Sequence, residues 1–341
     1  MCAINGPQTQ ADGRWNVPHN YRIGSNVLLL LLFFLVFGSC VESFAAERET
    51  GDDAVSKSKA PTRTELENAV YIGFDGNRGI KGPVRLKDGK WEGPAYVEGS
   101  VVRPMLNLLG DFIITGDLDG DGLDEAVTLL NLSTGGTGQL LYVTVVSRRG
   151  CELQNIATRL IGDRVQILGG RIKEQSIIFD VVRVGPSDPS CCPGEVATVG
   201  WMLEPGGILN PVVTEGKTSR LSLQSIAATE WVLWQWGWNE PASAKPEITI
   251  RYVDGQFIGS GGCNRYFAKA SEGDIAGDIS VGQIGSTRMS CNEQTMLLEN
   301  RFLTQLGSVK KFGFMLGKLA LTYQRGGSQN MMLFEERNKS P

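Results

Sequence analysis

Five carboxylates crowd into nine residues at Asp117-Leu118-Asp119-Gly120-Asp121-Gly122-Leu123-Asp124-Glu125. Acids at relative positions 1, 3, 5 and 9, with Gly122 at position 6 permitting a sharp turn, suit a hard cation. In this reading Asp117, Asp119 and Asp121 converge on Ca²⁺, the carbonyl of Leu123 adds an oxygen, and Glu125 completes the set in a structural role. Position 12 is Thr128 rather than Glu, and the flanks read as strands, so the loop is not a helix–loop–helix calcium site. Two other readings stand beside this one. Asp side chains can cap backbone amides in a purely polar turn, or the carboxylates can serve a hydrolase as acid and base. One tight loop suits a cation better than acid–base work.

The other reactive types are sulfur and indole. The chain has 7 Cys and 1 His, the latter at His19, upstream of a long apolar run. Beyond that run a Cys/His zinc site, a Ser-His-Asp triad and a Cys-His pair are all excluded. Cys151, Cys191, Cys192, Cys263 and Cys291 remain, and in an oxidising compartment one disulfide per module is expected. That pairs Cys263 with Cys291, and Cys151 with Cys191 or Cys192. A vicinal Cys191–Cys192 bridge leaving Cys151 free is the alternative. Trp234, Trp236 and Trp238 alternate, so a strand there presents three indoles on one face, for sheet packing or as a platform for glycan or peptide.

The elements that must position these residues are mainly strands. Runs such as Phe112–Thr115, Ala126–Leu130, Leu140–Val146 and Ile177–Val182 are β-branched, short and separated by Gly-rich turns, and the sequence holds 43 Gly. The expected fold is mainly β. Two antiparallel modules are expected over 68–211 and 221–337, the second of α+β type, with a sheet or barrel and one packed helix. Gly135-Gly136-Thr137-Gly138 has no Lys and opens onto no helix, so it is a hairpin turn rather than a phosphate loop. The single Asp-rich loop resembles those between strands in FG-GAP-type repeats, with Glu125 where that family usually has Asp.

Apolar content of 41% supports a real core, and a formal net charge of -4 without a basic block excludes a nucleic-acid role. Val27 to Phe37 is an eleven-residue apolar run after Arg22, too short for a bilayer but apt for a signal peptide within residues 1–46. Gly38-Ser39-Cys40 resembles a lipobox, which makes Cys40 a lipid anchor to the membrane. Cleavage after Ala45 or Ala46 is the rival, giving a soluble periplasmic form. Residues 47–67, charged and nearly free of large apolar groups, read as a flexible spacer.

Recognition enters at Ile258-Gly259-Ser260-Gly261-Gly262-Cys263-Asn264-Arg265-Tyr266. It is similar to the G-x-x-G-C-N-x-[YF] signature of the META/HslJ-like family, and Thr287-Arg288-Met289-Ser290-Cys291 matches that family's T-x-M-x-C element. A helix should follow, capped by Asn292, with Leu298, Phe302 and Leu306 at i+4 spacing and Gly307 at its end. Trp231–Trp234 would open the domain, and Phe312–Phe314, Leu319–Tyr323 and Met332–Phe334 would close it. The Asn264 amide is expected to bond backbone around a tight Gly261–Asn264 turn. The resemblance implies a non-catalytic, exported protein of the periplasm or outer membrane, with a role in envelope stress. The alternative is a calcium-stabilised module that binds a glycan or a partner envelope protein through the indole face.

Overall fold

Alternating β-branched runs punctuated by glycine turns fold here as successive antiparallel hairpins. The computed structural model describes residues 60–337 apart from Arg78 and Cys151, all within one compact unit, Asp53–Pro341. The expected leader, Cys40 and the first part of the expected spacer lie outside the described residues.

The chain enters through a short helix, α1 (Arg63–Leu66), inside the stretch that composition marked as spacer. Three local features order it. Thr62 and Glu65 form a reciprocal capping box, Leu66 is fully buried, and Arg148 donates to both Glu65 oxygens at 2.8 and 2.7 Å. Residues 61–67 of the expected spacer therefore form structure, because one apolar anchor and one ion pair outweigh a polar composition.

Strands β1 (Val70–Tyr71) and β2 (Val84–Arg85) pair with each other. A five-stranded sheet follows: β3 (Lys90–Glu92), β4 (Met105–Gly116), β5 (Glu125–Ser133), β6 (Leu140–Arg149) and β7 (Glu152–Asp163), in chain order. The next sheet holds β8 (Gln166–Lys173), β9 (Ser176–Arg183), β10 (Glu195–Glu204), β11 (Ile208–Pro211) and β12 (Ser219–Arg220). Strand β5 is buried on both faces. Its Val127 and Leu129 meet Ile177, Phe179 and Trp201 of the second sheet, whereas Ala126, Leu130 and Leu132 pack with Leu66, Tyr71 and Phe74. The expected first module is thus two sheets face to face, its outer side roofed by the N-terminal segment. The Gly135–Gly138 turn joins β5 to β6 as expected.

The last sheet holds β13 (Trp231–Trp236), β14 (Glu240–Pro241), β15 (Thr249–Val253), β16 (Gln256–Ser260), β17 (Arg265–Glu272), β18 (Ile279–Ser286), β19 (Val309–Met315), β20 (Lys318–Arg325) and β21 (Ser328–Glu336). Its order is β18-β17-β16-β15-β13-β21-β20-β19, with β14 on β13. The edge strands approach through an Asp278–Lys311 bridge and the Phe312 amide donating to the Gly277 carbonyl at 2.8 Å. Helix α2 (Glu293–Leu306) lies between β18 and β19 in sequence. Asn292 Oδ1 caps it through the Thr295 amide at 2.9 Å, and Phe302 and Leu306 enter the core among Trp231, Tyr266 and Leu321. Fold class is as expected: antiparallel β, with one main helix in the C-terminal part. Val182 of β9 belongs to this same core, and Gln166 Oε1 accepts from the Phe314 amide at 2.8 Å, so the second sheet is shared ground between the two halves.

Candidate functional site

The acidic loop closes the β4–β5 hairpin just beyond the Gly116–Glu125 pair. Asp117 accepts from the Gly120 amide through Oδ1 at 2.7 Å and from the Gly122 amide through Oδ2 at 3.0 Å. Asp119 Oδ1 takes the Asp121 amide at 3.2 Å, and Asp121 Oδ1 takes the Leu123 amide at 2.8 Å. Gly122 holds φ at 87°, the left-handed region in which a side chain would be strained. Glu125 is fully buried and accepts from the Leu118 amide at 2.9 Å and the Ser147 hydroxyl at 3.0 Å. Burial pushes its carboxyl above the usual value. The Leu118 and Ser147 hydrogen bonds pull it back, and the Asp119 and Asp121 charges push it further up.

Asp117, Asp119 and Glu125 each offer an oxygen within 4.8 Å of the others. Asp121 stands outside this trio, its carboxylate turned to the Leu123 amide. The loop therefore combines the two readings, self-capping Asx turns on one side and a carboxylate trio on the other. The donor set fits a hard cation chemically, because a buried Glu125 beside two carboxylates is the arrangement that a positive charge would relieve.

The Gly-Cys-Asn signature builds a second, more elaborate constellation. The Gly261 amide donates to the Asn264 carbonyl at 2.8 Å, closing the tight turn, and Gly262 sits at φ 113°. Cys263 is bonded to Cys291 with S–S at 2.05 Å. Asn264 Oδ1 accepts from Thr287 Oγ1 at 2.8 Å and from the Met289 amide at 2.7 Å, and its Nδ2 donates to the Met289 carbonyl at 3.3 Å. The amide thus bonds backbone, as expected, but the backbone of the second motif rather than of its own turn. It ties Gly261–Asn264 to Thr287–Cys291, which the disulfide joins covalently.

Sequence reasoning missed the residue at the centre of this arrangement. Glu299 of α2 is buried and accepts from the Cys263 and Asn264 amides through Oε2 at 3.2 and 2.5 Å, and from Asn264 Nδ2 through Oε1 at 2.9 Å. A Cβ on Gly261 would lie 3.0 Å from Glu299 Cγ, so the glycine admits the carboxylate. The available signal was position, because Glu299 stands three residues before Phe302 and seven before Leu306, on the buried stripe itself.

The expected triple-indole face is corrected. A β-bulge between Leu233 and Gln235 against β21 breaks the alternation. Trp236 turns into the core, while Trp234 is 37% exposed and Trp238, past the strand end, is 67% exposed. The ring of Trp236 lies under the Arg301 guanidinium and that of Trp234 under the Lys318 ammonium, each at 4.2 Å. The expected bridging of Cys151 to the vicinal pair is also not what is found. The vicinal alternative is the pairing present: Cys191 and Cys192 are bonded to each other in the turn between β9 and β10, where the Cys192 amide donates to the Pro189 carbonyl at 2.9 Å. Cys151 lies outside the described residues.

Residues 224–338, which contain both motifs and α2, match the META domain family. No curated protein matches the chain. An NMR structure of a protein from Burkholderia xenovorans is similar at 21% identity, covering 38% of this chain and 98% of its own, with a TM-score of 0.27.

Proposed function

We propose that the chain is a non-catalytic, exported envelope protein whose META domain is a disulfide-braced structural module serving envelope stress tolerance, tethered by lipid at Cys40 or released by cleavage near Ala45. The carrying observation is the fate of the signature residues. Gly261, Cys263, Asn264, Thr287 and Met289 are engaged with one another, with Cys291 and with Glu299 through a bridge and a hydrogen-bond net. Residues so engaged hold a shape. META domains are not known as enzymes, and a Cys263–Cys291 bridge suits an oxidising compartment. The test is the intact mass and N-terminal residue of protein isolated from fractionated cells. Lipid on Cys40, or a start at Ala46 or Glu47, supports the reading. A full-length chain with all thiols free in the cytosolic fraction sinks it.

A second reading has an observation of its own. The buried Glu125 beside Asp117 and Asp119 supports a cation-stabilised loop, with Ca²⁺ as the structural ion. Millimolar Ca²⁺ should then raise the melting temperature of wild-type protein and leave an Asp119→Ala/Glu125→Gln variant unmoved. Equal curves with Ca²⁺ and with chelator would leave the loop as self-capped turns alone.

A further inference from the structure

The outer face of β15, β16 and β17 forms a cleft of about 530 Å³ that the signature's structural role does not use. Registers define it. Arg251 on β15 pairs with Ile258 on β16, and Ser260 on β16 pairs with Arg265 on β17. Ile258 and Ser260 are two apart and so share a face, which places Arg251 and Arg265 on the same outward surface, on opposite sides of β16. Strands lie about 4.8 Å apart, so the two backbones are separated by about 10 Å across the sheet, within converging reach of two long side chains.

The charges in this cleft are unevenly settled. Arg337 bonds both of its acids, Glu230 and Glu247, the latter at 2.8 Å. Arg251 and Arg265, both exposed, have no acidic partner among the described residues. Three arginines against two glutamates leave one positive charge in excess, on a chain whose formal net charge is -4. Between the two free guanidinium groups the floor is formed by Ile258 and Ser260 of β16. Ser260 Oγ accepts the Gly262 amide at 3.2 Å, leaving its own proton to donate, and Gly259 and Gly262 carry no side chain. Planar donors flanking a hydroxyl in a concave site match an oxyanion.

We propose that this cleft binds a small oxyanion group, phosphate or carboxylate, held by Arg251 and Arg265 with Ser260 as a third donor. Titration calorimetry of the full chain with inorganic phosphate and with acetate, and co-sedimentation with vesicles of phosphatidylcholine and phosphatidylglycerol, distinguish a free anion from a lipid headgroup. Binding in either arm is expected to weaken about tenfold or more in Arg251→Gln/Arg265→Gln and to fall with added salt. It should be partly restored in Arg251→Lys/Arg265→Lys and remain unchanged in Lys173→Gln, a control that removes one exposed charge from β8. Melting curves verify that each variant is folded. Absence of binding in both arms overturns the proposal. So does an equal loss in Lys173→Gln, which would show attraction to net charge alone.

Discussion

Replacing Glu299 by Gln tests whether the carboxylate, rather than helix packing, holds the Cys-Asn turn. The change is nearly isosteric, and the two residues have similar helix propensity. With its oxygen in the Oε2 position, Gln still accepts from the Cys263 and Asn264 amides, but both bonds lose charge assistance, about 1 kcal/mol each. Its amide then faces Asn264 Nδ2 where Oε1 had accepted at 2.9 Å, so donor meets donor. A buried donor without a partner costs about 1–3 kcal/mol. Set against this, Gln is cheaper than a carboxylate to bury, and the net expectation is a loss of about 2–3 kcal/mol. For a unit of this size that lowers the melting temperature by about 3–5 °C. Urea unfolding followed by Trp fluorescence reads the difference through buried Trp231 and Trp236, with Glu293→Gln, on the exposed first turn of α2, as control. A change below about 0.5 kcal/mol, the range of ordinary surface substitutions, would refute the argument that Glu299 organises the turn.

The Cys263→Ala/Cys291→Ala double variant should lose about 3–4 kcal/mol, since the bridge closes a loop with a sequence separation of 28. Equal urea midpoints for wild type with and without reductant would count against it. At the entry helix, hydrogen bonding from Arg148 leads in holding the Glu65 carboxyl down at about 2, against an ordinary 4.5. A depressed carboxylate stabilises the fold fully above its unfolded value, and that stabilisation fades as pH falls from about 4.5 towards 2. Glu65→Gln should therefore lower stability at neutral pH and flatten the acid limb of a stability–pH curve, whereas parallel curves would refute the assignment. Trp236→Ala should cost about 3–5 kcal/mol as a large core truncation, while Trp238→Ala should change stability by less than about 0.5 kcal/mol. Similar losses at both positions would restore the shared indole face.

Local chemistry made much of the fold legible. The cap at Asn292, the i+4 stripe through Phe302 and Leu306, the turn at Gly135–Gly138 and the order of the two motifs are each decided within a few residues. What escaped depends on a partner far along the chain or on a one-residue irregularity. The bulge beyond Leu233 reverses the facing of every later side chain on β13, and no glycine or proline marks it. The first module's runs are as compatible with one barrel as with two sheets, because each run shows that a face is buried but not which strand covers it. Residues 61–67 look like spacer until Arg148 on β6 supplies the charge that Glu65 needs.

The candidate site divides along the same line. Asp117, Asp119 and Glu125 come together because a hairpin turn brings neighbours in sequence into one place, whereas Asp121, expected to converge with them, is turned to the Leu123 amide. Asn264 and Glu299 are 35 residues apart, and neither is intelligible alone. Two amides of a tight turn point inward at Cys263 and Asn264, and buried amides require an acceptor. The turn's own side chain cannot serve them, because Asn264 is committed to Met289 and Thr287. The acceptor comes instead from α2, whose Glu299 on the buried stripe takes both amides. A carboxylate on an apolar stripe, out of place in the helix read alone, is what the turn demands.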